Sequence, residues 1–451
     1  MITVIGDQLY GRMENGESVR EVVGNVVLTQ GNVRITCSRA IQYLARNNAH
    51  LIGNVVITQD SLTILTDEGF YFGNEKRAYS DRGVKLDDKK VILTAGIGEY
   101  LFTPQQANFS RDVKLTDTLS VLTSARLTYF REIDKAIAVE QVNIIDTSGN
   151  IIKADSLINL RKEQITYAFY NVRVRNLRDN SLIMGEHLED YREKGYSLVD
   201  VNPVFMQVDT VKNESDTIKA GVKDRKETDS LLQIDTLVIR SLVMESYRTD
   251  TSNQFIAKDS VRILRGGFAS HNDYTIYYKD KETIVTNKVN DSAAVPVIWY
   301  DNSQMTGDSI TIRLSDRRID RVFINNNAFM ISKSEINPRR YDQLTGKRVI
   351  MNFADNQLNK TEVYGNVLGI YFMYEEEEQN GLMKASSREA IIFFEERKVS
   401  QVNLYGDPNS EYHPENVVEG NEKSYTLPGF TLYEGRPTME NLFTKKIGKV
   451  F

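Results

Sequence analysis

The chain has 451 residues, 41% of them hydrophobic and 9% aromatic, too apolar a composition for a disordered protein. Its 62 acidic residues outweigh 56 basic ones to give a net charge of −6, which argues against a general nucleic-acid binder. One cysteine, Cys37, excludes disulfide frameworks and thiolate metal clusters. No run of about 18 apolar residues occurs, so the sequence predicts no transmembrane helix.

The residues from Met1 to Asp7 carry no basic, apolar and small-residue succession of an export signal. A cytoplasmic protein and a chain without its leader are both open at this point.

From Gly24 onward a repeat governs the sequence. Val26, Val55, Val84, Val113 and Val142 follow one another at intervals of 29. Two positions later stand Leu28, Ile57, Leu86, Leu115 and Ile144; nine positions after the valines stand Ile35, Ile64, Leu93, Leu122 and Ile151. Ala49, Ala78, Ala107 and Ala136 keep the same interval. Several columns sharing one period define a repeat protein.

Within each repeat the period is two. The valine column alternates with Val27, Val56, Lys85, Lys114 and Asn143, a set too varied to be buried, so these are half-buried strands. Gln30-Gly31-Asn32, Asp60-Ser61, Asp87-Asp88 and Ser148-Gly149-Asn150 mark turns at one corner. Arg46-Asn47-Asn48, Gly73-Asn74 and Thr103-Pro104 mark the other. Each repeat contributes two long strands, and only stacked copies bury the aliphatic columns. The expected fold is all-β: an elongated, repeat-built β-jelly roll or β-solenoid.

The expected divisions are residues 1–212 for the repeats, 213–230 for a polar loop, 231–405 for a second, divergent β section and 406–451 for an irregular tail. In that second section Asp259-Ser260-Val261 and Gly307-Asp308-Ser309 echo Ala154-Asp155-Ser156, and Gly365-Asn366-Val367 echoes residues 24–26. Longer loops are expected there, notably at the acidic run Glu375 to Glu378. Pro408, Pro414, Pro428 and Pro437 punctuate the tail, which is expected to wrap the end of the body or dock a partner.

The unit Gly-Asn-Val-x-Leu/Ile, with its later Ala-x-Tyr and returning Gly-Asn-Val, resembles the organic-solvent-tolerance (OstA) family of lipopolysaccharide-transport proteins. The likeness is strongest from Val22 to Phe72, extends to about Tyr191 and is loose beyond. It implies a periplasmic jelly roll whose apolar groove holds lipid acyl chains and whose modules stack end to end between two membranes. On that reading the fifteen aliphatic residues of the three columns line the groove, and the cargo is lipopolysaccharide or a related glycolipid. The partners are other jelly-roll transport proteins, or a second copy joined by edge-strand addition near Ile2–Val4 or Val22–Leu28. The resemblance also implies an export signal, which this sequence does not display.

Chemistry has little support in the residues. His50, His187, His271 and His413 share no ligand spacing, so neither a metal nor a cofactor is expected. No nucleophile elbow, P-loop or dinucleotide fingerprint occurs. Asp155, Asp259 and Asp308 could serve as acid/base carboxylates or calcium ligands, but Asp-Ser more simply opens a strand after a turn. Cys37 shares a small-residue column with Thr66, Ala95 and Ser124, which packing explains. The clusters Arg173/Arg175/Arg178 and Arg317/Arg318/Arg321 could meet lipid phosphates or simply face water. A non-enzymatic lipid carrier is the leading expectation. A structural or adhesive solenoid with a filled core, and a carbohydrate-active β-helix, are its rivals.

Overall fold

A computed structural model describes residues 1–178, 180–211, 233–249, 251–290, 292–315, 318–354, 357–396 and 398–443. The expected polar loop at 213–230 and Arg317 lie outside them. Strand accounts for 71% of the chain and helix for 4%, and the strands pair antiparallel. The chain divides into two compact units, Met1–Val199 and Asp200–Phe451.

In the first unit, long strands such as Glu17–Gln30, Val33–Tyr43, Asn48–Gln59 and Leu62–Phe72 follow one another as hairpins. The turns fall where the Gly, Asn and Asp clusters predict them. Most of the long strands are broken near the middle by a shift of register, as between Ile52 and Val55. At that shift Gly53 and Asn54 adopt φ of +77° and +50°. Both angles lie in the left-handed region, where glycine is unstrained and asparagine is the best tolerated of the rest. Gly-Asn-Val is therefore a bend inside a strand, and with the equivalent pairs Arg111-Asp112, Glu140-Gln141 and Tyr170-Asn171 it folds the long strands into two arms that belong to two facing sheets.

The Asp-Ser signature opens a strand at Asp308-Ser309, as expected, since the strand Ser309–Ser315 starts there, but at the other two sites it belongs to the bends instead. Asp155 lies within the strand Asn150–Leu160, and Asp259 and Ser260, at φ +61° and +51°, lie within Asn253–Arg265. Aspartates at the bends accept hydrogen bonds from asparagines at neighbouring bends: Asp7 from Asn25 at 2.9 Å, Asp155 from Asn171 at 2.6 Å and Asp308 from Asn327 at 3.0 Å. These carboxylates are tied up in shaping the backbone.

The second unit bends in the same way at Asn326-Asn327 and Gly365-Asn366. Its acidic run is a two-residue turn and not a long loop, since one strand ends at Glu375 and the next begins at Glu378. The segment from 406 starts with another strand, Asn409–His413, paired to Leu382–Ser386. The described residues after it, 414–443, run as a strap across this unit with short helices at Glu415–Val418 and Met439–Phe443.

Candidate functional site

The two outer aliphatic columns of the sequence merge into one row in the first unit. Val4, Leu28, Ile35, Ile57, Ile64, Leu86, Leu93, Leu115, Leu122, Ile144, Ile152, Val174 and Ile183 are successive cross-strand partners. Beside it the valine column pairs with small residues: Val26 with Cys37, Val55 with Thr66, Val84 with Ala95 and Val113 with Ser124. Fourteen of the fifteen expected groove residues are buried on this inner face.

Ile151 is the exception. It pairs with the exposed Ile145, while Ile152 takes the inward place opposite Ile144. The turn Ser148-Gly149-Asn150 is the cause. Val113 and Ser124 are partners 11 positions apart, whereas Val142 and Ala154 are 12 apart. One added residue flips every later side chain to the other face.

The facing sheet carries a further row, outside the aliphatic columns. Ala49, Tyr71, Ala78, Tyr100, Ala107, Tyr129 and Ala136 are successive partners, the tyrosines 29 residues apart. Tyr71, Tyr100 and Tyr129 are at most 2% exposed. They fill the space that the intervening alanines leave, so the small residues do not hold a groove open. From Ala49 to Ala136 the interior is filled, whereas farther along the inner-row residues Ile152, Val174 and Ile183 are only partly buried. A cavity of about 20 Å³ remains, bordered by Gly69, Gly98, Val84 and Tyr100.

A polar seam joins the free ends of the two sheets. Tyr71 donates its hydroxyl to Gln30 Oε1 at 2.7 Å, and Gln30 Nε2 donates to the Gly73 carbonyl at 2.9 Å. Tyr129 donates to Asp88 Oδ2 at 2.9 Å, and Arg131 donates to Ser61 Oγ at 2.8 Å. Farther along, Arg161 bridges Asp117 at 2.5 Å and Asp134 at 3.1 Å. Burial pushes the Asp117 carboxyl up, but Arg161 and the Leu119 and Ser120 amides outweigh it and hold the group below its ordinary range. Burial raises the Tyr71 and Tyr100 hydroxyls to about 12 each. Between the two tyrosine latches the seam is weaker. Gln59 Oε1 and the Tyr100 hydroxyl, which occupy the equivalent places, are buried without a hydrogen-bond partner.

The remaining candidates fall on packing or on solvent. His50 pairs with Glu68 at 2.7 Å and stacks on Phe70 at 4.5 Å. Cys37 is buried, and desolvation raises its thiol to about 11. Arg173, Arg175 and Arg178 are exposed. Among the described residues no group of His, Cys, Asp and Glu has the geometry to hold a metal ion.

The first end of the stack is an open edge. The strand Gln8–Glu14 pairs with Glu17–Gln30 and exposes Leu9, Tyr10 and Met13. The first edge is thus made by Thr3–Ile5 and Gln8–Glu14. Val22–Leu28 is interior to the sheet, contrary to the expectation that it could be an edge, because Val22 and Val26 pair onward with Ala40 and Cys37.

Residues 3–155 match the model of the OstA-like protein family, so the likeness read from the repeats stands over that stretch. No curated protein matches the chain. Among solved structures the chain is similar to LptH of Pseudomonas aeruginosa, the LptA-homologous periplasmic component of a lipopolysaccharide transport device. The identity is 15% and the TM-score 0.12, over 38% of this chain and 82% of that one. The fold described above rests on the strand pairing and not on that likeness.

Proposed function

We propose that the first unit is a non-enzymatic carrier of lipopolysaccharide or a related glycolipid, acting in the periplasm on the way to the outer membrane. The carrying observation is the unbroken aliphatic row from Val4 to Ile183 on V-bent strands, in a stretch that matches the OstA-like proteins. Acyl chains laid along that row would gain roughly 0.8 kcal/mol per buried methylene. Near-identical rungs give similar affinity at successive steps, as movement along the unit requires. Entry needs the seam to part and the tyrosines to swing aside, and the weakest place is between the Gln30–Tyr71 and Asp88–Tyr129 latches. The exposed strand Gln8–Glu14 would receive a partner module, or a second copy, by strand addition.

A second reading, a structural solenoid with a filled core, is favoured by the three buried tyrosines. Photo-crosslinking amino acids at Leu86, Leu93 and Leu115 separate the two. Carriage predicts capture of lipopolysaccharide there and none at the outward-facing Lys85 and Lys114. Equal labelling of both sets, or labelling of neither, supports the filled scaffold.

A further inference from the structure

The second unit has a feature that the first lacks. Leu237-Val238-Ile239, Phe268-Ala269-Ser270 and Val297-Ile298-Trp299 are each buried at three consecutive positions. Consecutive burial means that both faces of the sheet are covered. One face packs inward through Met305, Ala328 and Met330. On the opposite face Trp299, Gln304, Ile331, Gln343 and Ile370 are successive cross-strand partners, forming a row perpendicular to the strands.

Residues 414–443 lie along this row. Gln343 receives the Leu427 amide at 2.8 Å and donates to the Tyr425 carbonyl at 3.0 Å. Gln304 does the same six residues later, receiving the Tyr433 amide at 2.7 Å and donating to the Thr431 carbonyl at 2.8 Å. Each glutamine thus grips the backbone of an extended segment through both ends of its amide, without reading a side chain. Leu427 supplies an apolar anchor, packed with Val418 against Ile370, Phe372 and Leu382. The fully buried Arg340 clasps Glu415 through both terminal guanidinium nitrogens, at 3.1 and 2.5 Å. At the other end Arg436 donates to the Asp301 and Gly267 carbonyls.

We propose that this outer face is a binding rail for an extended peptide with apolar anchors, and that the carboxy-terminal strap is its resident, releasable occupant. Among the described residues, the backbone–backbone hydrogen bonds of 414–443 all return to the strap itself. Most of its residues are exposed, and the buried ones, Val418, Leu427, Pro437 and Leu442, are far apart. A segment with so few buried contacts and no ladder opens before the sheet does. The proposal goes beyond the carrier reading and does not depend on it.

The test uses the full chain, its Glu415→Ala variant, which leaves the buried Arg340 only its longer ion pair with Glu422 at 3.7 Å, and, in case that unfolds the unit, Arg436→Ala, which frees the far end only. Hydrogen exchange should show strap amides opening while the strands of the second unit stay protected, and faster opening in either variant. A fluorescent peptide of residues 414–443 should bind the variants at least about tenfold more tightly than the unaltered chain, since the resident strap competes less. Strap amides that exchange only together with the strands, or a peptide that binds variants and unaltered chain alike or binds none of them, would overturn the proposal.

Discussion

Tyr129 reaches across the free ends of two sheets to give its hydroxyl proton to Asp88, 41 residues earlier in the chain, at 2.9 Å. Tyr71 makes the same reach to Gln30, also across 41 residues, at 2.7 Å. The coincidence follows from the repeat: both partners move by two periods of 29, so the bond moves with them. Asp88 is 4% exposed, and its other oxygen already receives the Lys90 and Val91 amides at 2.9 Å each.

Replacing Tyr129 by Phe should therefore destabilise the first unit by about 1–3 kcal/mol, because a buried carboxylate oxygen loses its donor. Tyr71→Phe should cost about 0.5–1.5 kcal/mol, since Gln30 is neutral. Urea unfolding followed by circular dichroism measures both. A Tyr129→Phe protein as stable as the parent would mean that the seam does not hold the sheets together.

The inner face should be sensitive to size. Leu51 is fully buried in the facing sheet, and Leu51→Ala should cost about 2–5 kcal/mol through lost contacts and the cavity left behind. Leu65, 37% exposed on the outer face, should change stability by no more than about 0.5 kcal/mol when replaced by Ala. Comparable losses at both positions would contradict the assignment of faces.

Stability should fall in alkali. Burial raises Cys37 from 9.0 to about 11, and raises Tyr71 and Tyr100 from 10.0 to about 12. In each case the folded state holds its proton more tightly than the unfolded state. Stability is therefore full below pH 9, starts to decline as the unfolded thiol and phenols ionise, and is lost as pH rises through the folded values. Urea midpoints at pH 8, 9.5 and 11 should descend in that order. Cys37→Ala should flatten the part of the decline that begins near pH 9.

Association should depend on the first edge. Leu9 lies opposite the buried Val22 and is 57% exposed, as an inner-face residue at the end of a stack must be. If a module adds there, Leu9→Lys should abolish the concentration dependence of sedimentation. Leu177→Lys, at another exposed leucine, should leave it unchanged. A strict monomer at every concentration would count against self-addition through this strand.

The bends show where reading the sequence ran short. The repeat placed Gly24-Asn25-Val26 and Gly53-Asn54-Val55 at equivalent positions, but nothing local told that they lie inside strands, because glycine and asparagine usually stand at turns. Here their positive φ values bend a strand whose pairing resumes on both sides. The tyrosine row was legible in principle, since Tyr71, Tyr100 and Tyr129 keep the 29-residue interval. The aliphatic columns alone did not show what faces them.

The all-β class, the 29-residue rung and the inward residues up to Ile144 were fixed by the sequence alone, because alternation and period are local properties that stacking only repeats. Ile152 in place of Ile151 depended on one extra turn residue, whose effect on register appears only once the partner strand is known. Whether the interior is open or filled was decided by tertiary structure. Alanines at one column permit a groove, and only the tyrosines paired beside them close it. How the tail is held was likewise beyond local pattern. Gln304 and Gln343 are unremarkable in sequence and become backbone clamps only because the sheet aligns them on one row beneath a segment more than 80 residues away.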